Sequence, residues 1–400
     1  MIIIITGIIA EYNPFHKGHE YHLTKAKQET NADGIVCVMS GNFMQRGIPS
    51  IVDKWKRAEM AVKNGVDLVL ELPLVYSISS AEHFAFGSVS LLNSLGIVDY
   101  LYFGSEEGNI NKLQTVAKTL VTEPQEYRNL LKNNLHLGLP FHISRANALA
   151  DYLASDDILN VLSNSNNILG IEYLKALITL DSPITPMTLK RKGASYNDTS
   201  LNHSFVSATS IRNHLKENSL HELASLMPKA SHDFLSDLSH LDYHFVFEED
   251  MFKFIKYKLL TNDKCLMNLP DISEGLDNKI FKEIINSNSL DEFILKIKSK
   301  RYTYTRINRI LTQCFLNLEN FNLFALSKMP VPYARVLAFN TIGQNMLKRI
   351  KGYTDIITKV PKNNLCDHLK IDILGTKAYS ILQPKVNPMD DYLKGPIIFK

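Results

Sequence analysis

Apolar and polar positions along this chain switch repeatedly between a two-residue and a helical period. Residues 2–9 are apolar apart from Thr6 and Gly7, and are rich in isoleucine. Such a β-branched run predicts a buried strand. Asn13-Pro14 breaks it, and a helical pattern runs on from about Glu20. Residues 34–39 predict a second strand, 53–63 a helix and 66–73 a third strand ending at proline. A helix over 80–94 and a fourth strand over 98–103 follow. Strands alternating with helices predict βαβ units and a doubly wound, mostly parallel α/β sheet.

From about residue 111 to 162 the pattern is helical, with Gly138-Leu139-Pro140 as a break, which predicts a helical insertion. The sheet is expected to resume with a helix near 168–180 and a strand near 184–189. A basic loop, Lys190-Arg191-Lys192-Gly193-Ala194, comes next. Beyond about 220 glycine thins out and helical periodicity prevails. The expected division is therefore an α/β unit over 1–220 and a mostly helical unit over 221–400. No internal repeat or low-complexity linker is visible.

Composition narrows the class. The chain has 400 residues, 45% apolar and 21% charged, as in ordinary soluble proteins with room for two units. A net charge of +3 neither demands nor excludes a nucleic-acid partner, so a local patch matters more. The apolar start is too short for a bilayer and lacks the flanks of a signal peptide. A cytoplasmic protein with no membrane partner is expected. Cys37, Cys265, Cys314 and Cys366 have no paired spacing, so reduced thiols and no structural metal are expected.

Ligands of doubly wound sheets bind beyond the carboxyl ends of the strands. That puts residues 7–19 and 40–47, Leu72-Pro73 and Gly104-Ser105-Glu106 on one rim. The first stretch reads strand, proline turn, helix, with His16-Lys17-Gly18-His19 at the helix mouth. Two imidazoles three residues apart share a helix face. There the backbone N–H groups already favour an anion. Gly18 would let a phosphate or sugar approach the backbone. An H-x-x-H alone is more often surface or core; the strand, the proline turn and the intervening glycine are what single this one out. Ser207-Ala208-Thr209-Ser210-Ile211-Arg212 also opens a predicted helix, either as a plain N-cap or as a phosphate grip. Residues 296–309 interleave six cations with Tyr302 and Tyr304. Cations and aromatics together suit unpaired RNA, whereas the bland reading is a solvated helix face. No RRM, KH or zinc-knuckle pattern is present.

H-x-G-H followed by S-x-T-x-I-R resembles the nucleotidylyltransferase superfamily, whose fold is Rossmann-like and HUP-type. More closely, eight segments in order are similar to the tRNA(Met) cytidine acetate ligase family. They are E-Y-N-P-F-H-K-G-H at 11–19, M-S-G-N-F-M-Q-R-G at 39–47, D-L-V-L-E-L-P at 67–73 and F-G-S-E at 103–106. N-N-I-L-G at 166–170, S-A-T-S-I-R at 207–212, E-G-L-D-N at 274–278 and K-R-Y-T-Y-T-R at 300–306 complete the set.

The resemblance implies a two-step ligase. Acetate attacks the α-phosphate of ATP, and the acetyl group then passes to N4 of the wobble cytidine of elongator tRNA(Met), without acetyl-CoA. Mg²⁺ is expected with the triphosphate. ATP would contact Ile9, Ala10, Glu11, Tyr12, Asn13, Pro14, Phe15, His16, Lys17, Gly18, His19, Glu20, Tyr21 and His22, with Gly104, Asn166 or Asn167, and Arg191. His16 and His19 would stabilise the transferring phosphoryl group. Arg191, Ser207, Thr209 and Arg212 would hold the pyrophosphate end. Lys298, Lys300, Arg301, Tyr302, Tyr304 and Arg306 are the candidate tRNA contacts. Two positions depart from the family pattern. Ser165 precedes Asn-Asn where Pro is frequent, and Tyr196-Asn197-Asp198 replaces Tyr-His-Asp, with an Asn197 that cannot titrate. Two other readings stay open: a small-molecule nucleotidylyltransferase, and a non-catalytic RNA-binding protein with a relic nucleotide site.

Overall fold

A computed structural model describes residues 3–191, 205–217, 220–273 and 275–400. Lys192, Gly193, Ala194, Tyr196, Asn197, Asp198 and Glu274 therefore lie outside the described residues, as do Met1 and Ile2. The chain opens with β1 (Ile5–Ala10), α1 (Lys17–Thr30), β2 (Gly34–Ser40), α2 (Lys54–Lys63) and β3 (Leu68–Leu72). A short α3 (Leu74–Ser77), α4 (Ala81–Ser94) and β4 (Tyr100–Ser105) follow. The helical insertion comprises α5 (Ile110–Thr122), α6 (Gln125–His136), α7 (Phe141–Tyr152) and α8 (Asp157–Ser163). Then come α9 (Ser165–Thr179), β5 (Thr185–Lys190) and α10 (Ala208–Lys216).

The sheet order is β5-β4-β1-β2-β3, all parallel, as the alternating pattern predicts. Every residue of β2 and β3 is buried, which marks strands covered on both faces. Along β2 the side chains alternate between two cores. Val36 and Val38 pack on one face, and Ile35, Cys37 and Met39 on the other.

The second half runs through α11 (Lys229–His240), α12 (Phe252–Thr261), α13 (Leu276–Ile284), α14 (Leu290–Ile297), α15 (Tyr304–Phe315) and α16 (Leu323–Leu326). To that point it is helical as expected. Then the chain returns to the sheet, which the sequence reading missed. β6 (Ala334–Phe339) pairs antiparallel with β3. After α17 (Thr341–Ile350) come β7 (Ile356–Ile357), α18 (Asp367–Leu382), α19 (Asp390–Leu393) and β8 (Ile397–Ile398). Strands β7 and β8 both pair with β6. The physical reason is that β3 would otherwise be a long apolar sheet edge. Residues 1–220 and 221–400 thus share one sheet. Among the described residues no helix is long and apolar enough to cross a membrane.

A buried ion cluster joins the two parts. Lys54 Nζ lies 2.8 Å from Glu71 Oε1 and 2.8 Å from Asp391 Oδ1. Arg335 Nη2 reaches Asp391 at 2.7 Å, and its Nε reaches Glu71 at 3.4 Å. Burial pushes the Asp391 carboxyl up, but Lys54 and Arg335 outweigh it and hold it below the usual range. Each of these four side chains is 4% exposed or less, so each depends on the others to offset its lost hydration.

Candidate active site

The mouth of α1 begins earlier than the periodicity suggests, at Lys17 rather than near Glu20. His16 is the N-cap. Its Nδ1 accepts the Gly18 N–H at 3.0 Å, and the His19 Nδ1 accepts the His16 N–H at 3.3 Å. The two histidines form a reciprocal capping box, a role usually taken by Ser or Thr with Glu or Gln. Their rings stack with centroids 3.7 Å apart. Both Nδ1 atoms accept backbone protons, so each neutral ring carries its proton on Nε2. Gly18 lines the cavity and has a second role that its sequence context does not suggest. A Cβ there would stand 2.8 Å from Cε1 of His16. The glycine makes room for the capping imidazole.

These rings are held uncharged. Burial, then Arg191 and Arg212, push His16 down to about 3. Burial lowers His19 well below the usual value, with His16, His22 and Arg191 adding to it. Burial and Arg191 push His22 down to about 4. At neutral pH the site therefore offers Nε2–H donors, with cationic charge supplied by the arginines.

Arg57, fully buried, fixes the loops beyond β1 and β2. Its guanidinium donates to the carbonyls of Glu11 at 2.6 Å, Ser40 at 2.9 Å and Val52 at 3.2 Å, and also to that of Gly41. Glu11 Oε1 in turn accepts the Gln45 N–H at 2.7 Å. Gln45 falls within the 40–47 stretch expected at this rim, whereas Arg57 was not among the residues expected from sequence. An arginine inside an otherwise apolar helix face was the available signal.

One cavity of about 850 Å³ opens at this rim. Ile9, Ala10, Glu11, Tyr12, Asn13, His16, Gly18, His19, Tyr21 and His22 line it; Pro14, Phe15, Lys17 and Glu20 do not. Gly104, Asn166, Arg191, Ser207 and Arg212 line it too. A Cβ on Gly104 would lie 3.3 Å from Cγ of Arg191, whose stem crosses that position. Asn166 Nδ2 donates to Glu106 at 2.6 Å. Asn167 is buried instead, accepting from Glu107 N and donating to the Val161 carbonyl. Ser165 is the first residue of α9, a position that proline also tolerates.

Ser207 caps α10 by accepting the Ser210 N–H at 3.1 Å, and Ser207 and Ala208 at that helix mouth line the cavity. Arg212 donates to the Asn13 carbonyl and to Thr209 Oγ1, both at 3.0 Å. Thr209 therefore steadies Arg212 rather than lining the cavity itself.

The basic stretch divides. Lys298 and Tyr304 line the same cavity as the histidines. Lys300 and Arg301 are exposed. Tyr302 is buried, its hydroxyl donating to the Ser273 carbonyl at 2.6 Å. Arg306 lies against the Tyr302 ring and pairs with Asp271 at 3.3 Å. Thr303, Thr305, Arg309 and Arg46 also line the cavity; they lie inside the 296–309 and 40–47 stretches but were not individually expected as contacts.

Comparison with known proteins covers nearly the whole chain. The HIGH Nucleotidyl Transferase family model matches residues 3–392. The tRNA(Met) cytidine acetate ligase of Clostridium novyi is 51% identical over 99% of this chain and 100% of its own. That of Clostridium kluyveri is 50% identical over 98% of each. The chain belongs to the tRNA(Met) cytidine acetate ligase family. The resemblance read from the eight segments thus extends over the whole chain. Among solved structures, Thermotoga maritima TmcAL without ligand superposes with a TM-score of 0.93 at 32% identity, covering 99% of this chain and 100% of that one. The same Thermotoga protein bound with alpha-thio ATP gives 0.90 at 32% identity, covering 99% of each chain. The family fold, a mostly parallel sheet with flanking helices, is the fold found here.

Proposed function

We propose that this protein is an ATP-dependent ligase that acetylates N4 of the wobble cytidine of elongator tRNA(Met). The supporting observation is the neutral His16–His19 pair set among Arg191, Arg212 and the α10 mouth in one cavity. Full-length similarity to ligases of that name supports it as well. In the first step an acetate oxygen attacks the α-phosphorus of ATP. The bond to the β-phosphate oxygen breaks, and pyrophosphate leaves. In the second, N4 attacks the acetyl carbon, the bond to AMP breaks, and the amine loses a proton.

Charge grows on the α-phosphate oxygens as pyrophosphate departs. Fixed Nε2–H donors from His16 and His19 suit those oxygens, and donors set in advance do not need to reorganise. Arg191, Ser207 and Arg212 would hold the β- and γ-phosphates. No general base is needed for the first step, because acetate is already ionised at neutral pH. Among the described residues no group of three or more His, Cys, Asp and Glu side chains is placed to hold a metal ion. Mg²⁺ is expected to arrive on the triphosphate, held by phosphate oxygens and water.

The test is ATP–pyrophosphate exchange with a panel of small carboxylic acids, followed by transfer of labelled acetate to tRNA. Acetate-dependent exchange and label in the tRNA are the expected results. Exchange with another acceptor would favour a small-molecule nucleotidylyltransferase, and no exchange would favour a non-catalytic protein.

A further inference from the structure

The cavity has two walls of different origin. On the β4–β5 side stand Gly104, Asn166, Arg191 and Ser207. The other wall comes from elsewhere: Arg46 from the turn after β2, Phe84 from α4, Lys298 from the end of α14, and Tyr304, Thr305 and Arg309 from α15. Activation of a carboxylate by ATP, as argued above, uses β1 and the first wall only. The second wall carries three cations and two aromatic rings, with no carboxylate among those six residues.

This wall is built rather than incidental. Asn308 Nδ2 donates to the Arg46 carbonyl at 3.2 Å, and Thr312 Oγ1 donates to the Gly47 carbonyl at 2.7 Å. These bonds bring two arginines from distant parts of the chain to one surface. Arg309 forms a long ion pair with Asp271 at 3.9 Å, which leaves it facing the cavity. Burial holds its guanidinium below the usual range; Asp271 opposes that shift, and Arg306 adds to it. The Tyr304 hydroxyl donates to Asp291 Oδ1 at 3.1 Å, which fixes the ring at the helix mouth. Positioned cations beside a fixed ring match a phosphate beside an unstacked base.

We propose that the second wall is the subsite for the acceptor nucleotide of the RNA. The base of that unstacked pyrimidine ribonucleotide lies against Tyr304, and a flanking phosphate lies on Arg309, Arg46 and Lys298. This rests on the ligase reading given above. It deepens that reading by placing the acceptor inside the adenylation cavity, facing β1 from the side opposite the nucleotide. The acetyl-adenylate then needs no transport between separate sites.

The test uses the full-length protein with Arg309→Gln, Arg309→Lys and Tyr304→Leu. Affinity for the elongator tRNA(Met) transcript is measured without ATP at two salt concentrations. Acetate-dependent exchange, its KM for ATP and acetyl transfer are measured on the same preparations. For Arg309→Gln, tRNA affinity is expected to fall about tenfold, and the salt slope by about 0.7–0.9 for one lost phosphate contact. Arg309→Lys should recover most of that affinity. Tyr304→Leu should lower acetyl transfer with little change in salt slope. In Arg309→Gln and Tyr304→Leu the KM for ATP should stay within about twofold of wild type. A rise in KM for ATP as large as the loss in tRNA affinity would overturn the proposal and give the wall to the triphosphate. Unchanged tRNA affinity and transfer in Arg309→Gln and Tyr304→Leu would overturn it as well. If the wild type shows no acetate-dependent exchange, the ligase reading fails, while the tRNA binding data still decide the subsite.

Discussion

Gly47 and Arg309 meet backbone to backbone. A Cβ on Gly47 would stand 2.4 Å from the Arg309 amide nitrogen, and Gly47 has a φ of +71°. Gly47→Ala meets two obstacles at once, a left-handed conformation and a helix that must move away. We expect a loss of about 2–5 kcal/mol, the sum of those two effects. Acetyl transfer should fall more than exchange, because α15 carries one wall of the cavity. Urea unfolding and the two activity assays check this; a variant as stable as wild type would show that the contact is not tight.

The capping role of His16 lets chemistry be separated from folding. His16→Ala removes both the cap and the Nε2–H donor, so about 1 kcal/mol of stability should go with the activity. Asparagine is a good N-cap but places no donor where Nε2 stands. We expect His16→Asn to melt near the wild-type temperature yet to lose roughly two to three powers of ten in exchange rate, as for a lost transition-state donor. An active His16→Asn enzyme would remove His16 from the chemistry.

Stability should fall as the medium is acidified below pH 6.5. His16 and His22 are held neutral in the folded chain, with values of about 3 and 4 against an ordinary 6.5. Between those limits the unfolded chain binds more protons, so stability rises with pH. The contribution is fully present above 6.5 and is lost as pH falls towards the folded values. The slope is at most about 1.4 kcal/mol per pH unit for each histidine. Denaturant titrations at pH 7.5, 6 and 5 would measure it, and His16→Asn should flatten the slope. ATP should oppose the effect, since a bound triphosphate favours the imidazolium form.

Lys54→Met leaves Glu71 and Asp391 facing each other with only Arg335 between them. Removing one partner of a buried ionic cluster costs about 3–5 kcal/mol. We expect a variant that unfolds at much lower denaturant concentration, with exchange falling in step with the folded fraction. Wild-type stability in calorimetry would contradict this account of how the C-terminal strands are held.

Much of the fold was legible because it is local. The strand-and-helix alternation up to Lys190 carries its own period, and a proline turn before H-x-G-H marks the rim. The start of α1 was misplaced because histidine is a rare N-cap, and only the geometry shows His16 and His19 capping each other. β6 left a local trace, six buried residues before a helix cap at Asn340. Its partner β3 lies far upstream, and no local pattern indicates such a pairing. In the basic stretch, composition cannot tell which way each residue faces. Thr303 caps α15, so Ile307, Ile310 and Leu311 turn inward while Arg309 meets the cavity. Tyr302, just before the cap, goes to the core.

The hydrogen bond from Asn340 to Asp67 spans 273 residues. On the ribosome, β3 emerges long before β6 exists to cover it. Until then the nascent chain exposes a bare apolar strand with unpaired amides, a template for wrong partners. Completion of the sheet must wait for the last part of translation. A fragment ending near residue 220 is therefore expected to aggregate when expressed alone, although it contains every residue assigned here to the nucleotide.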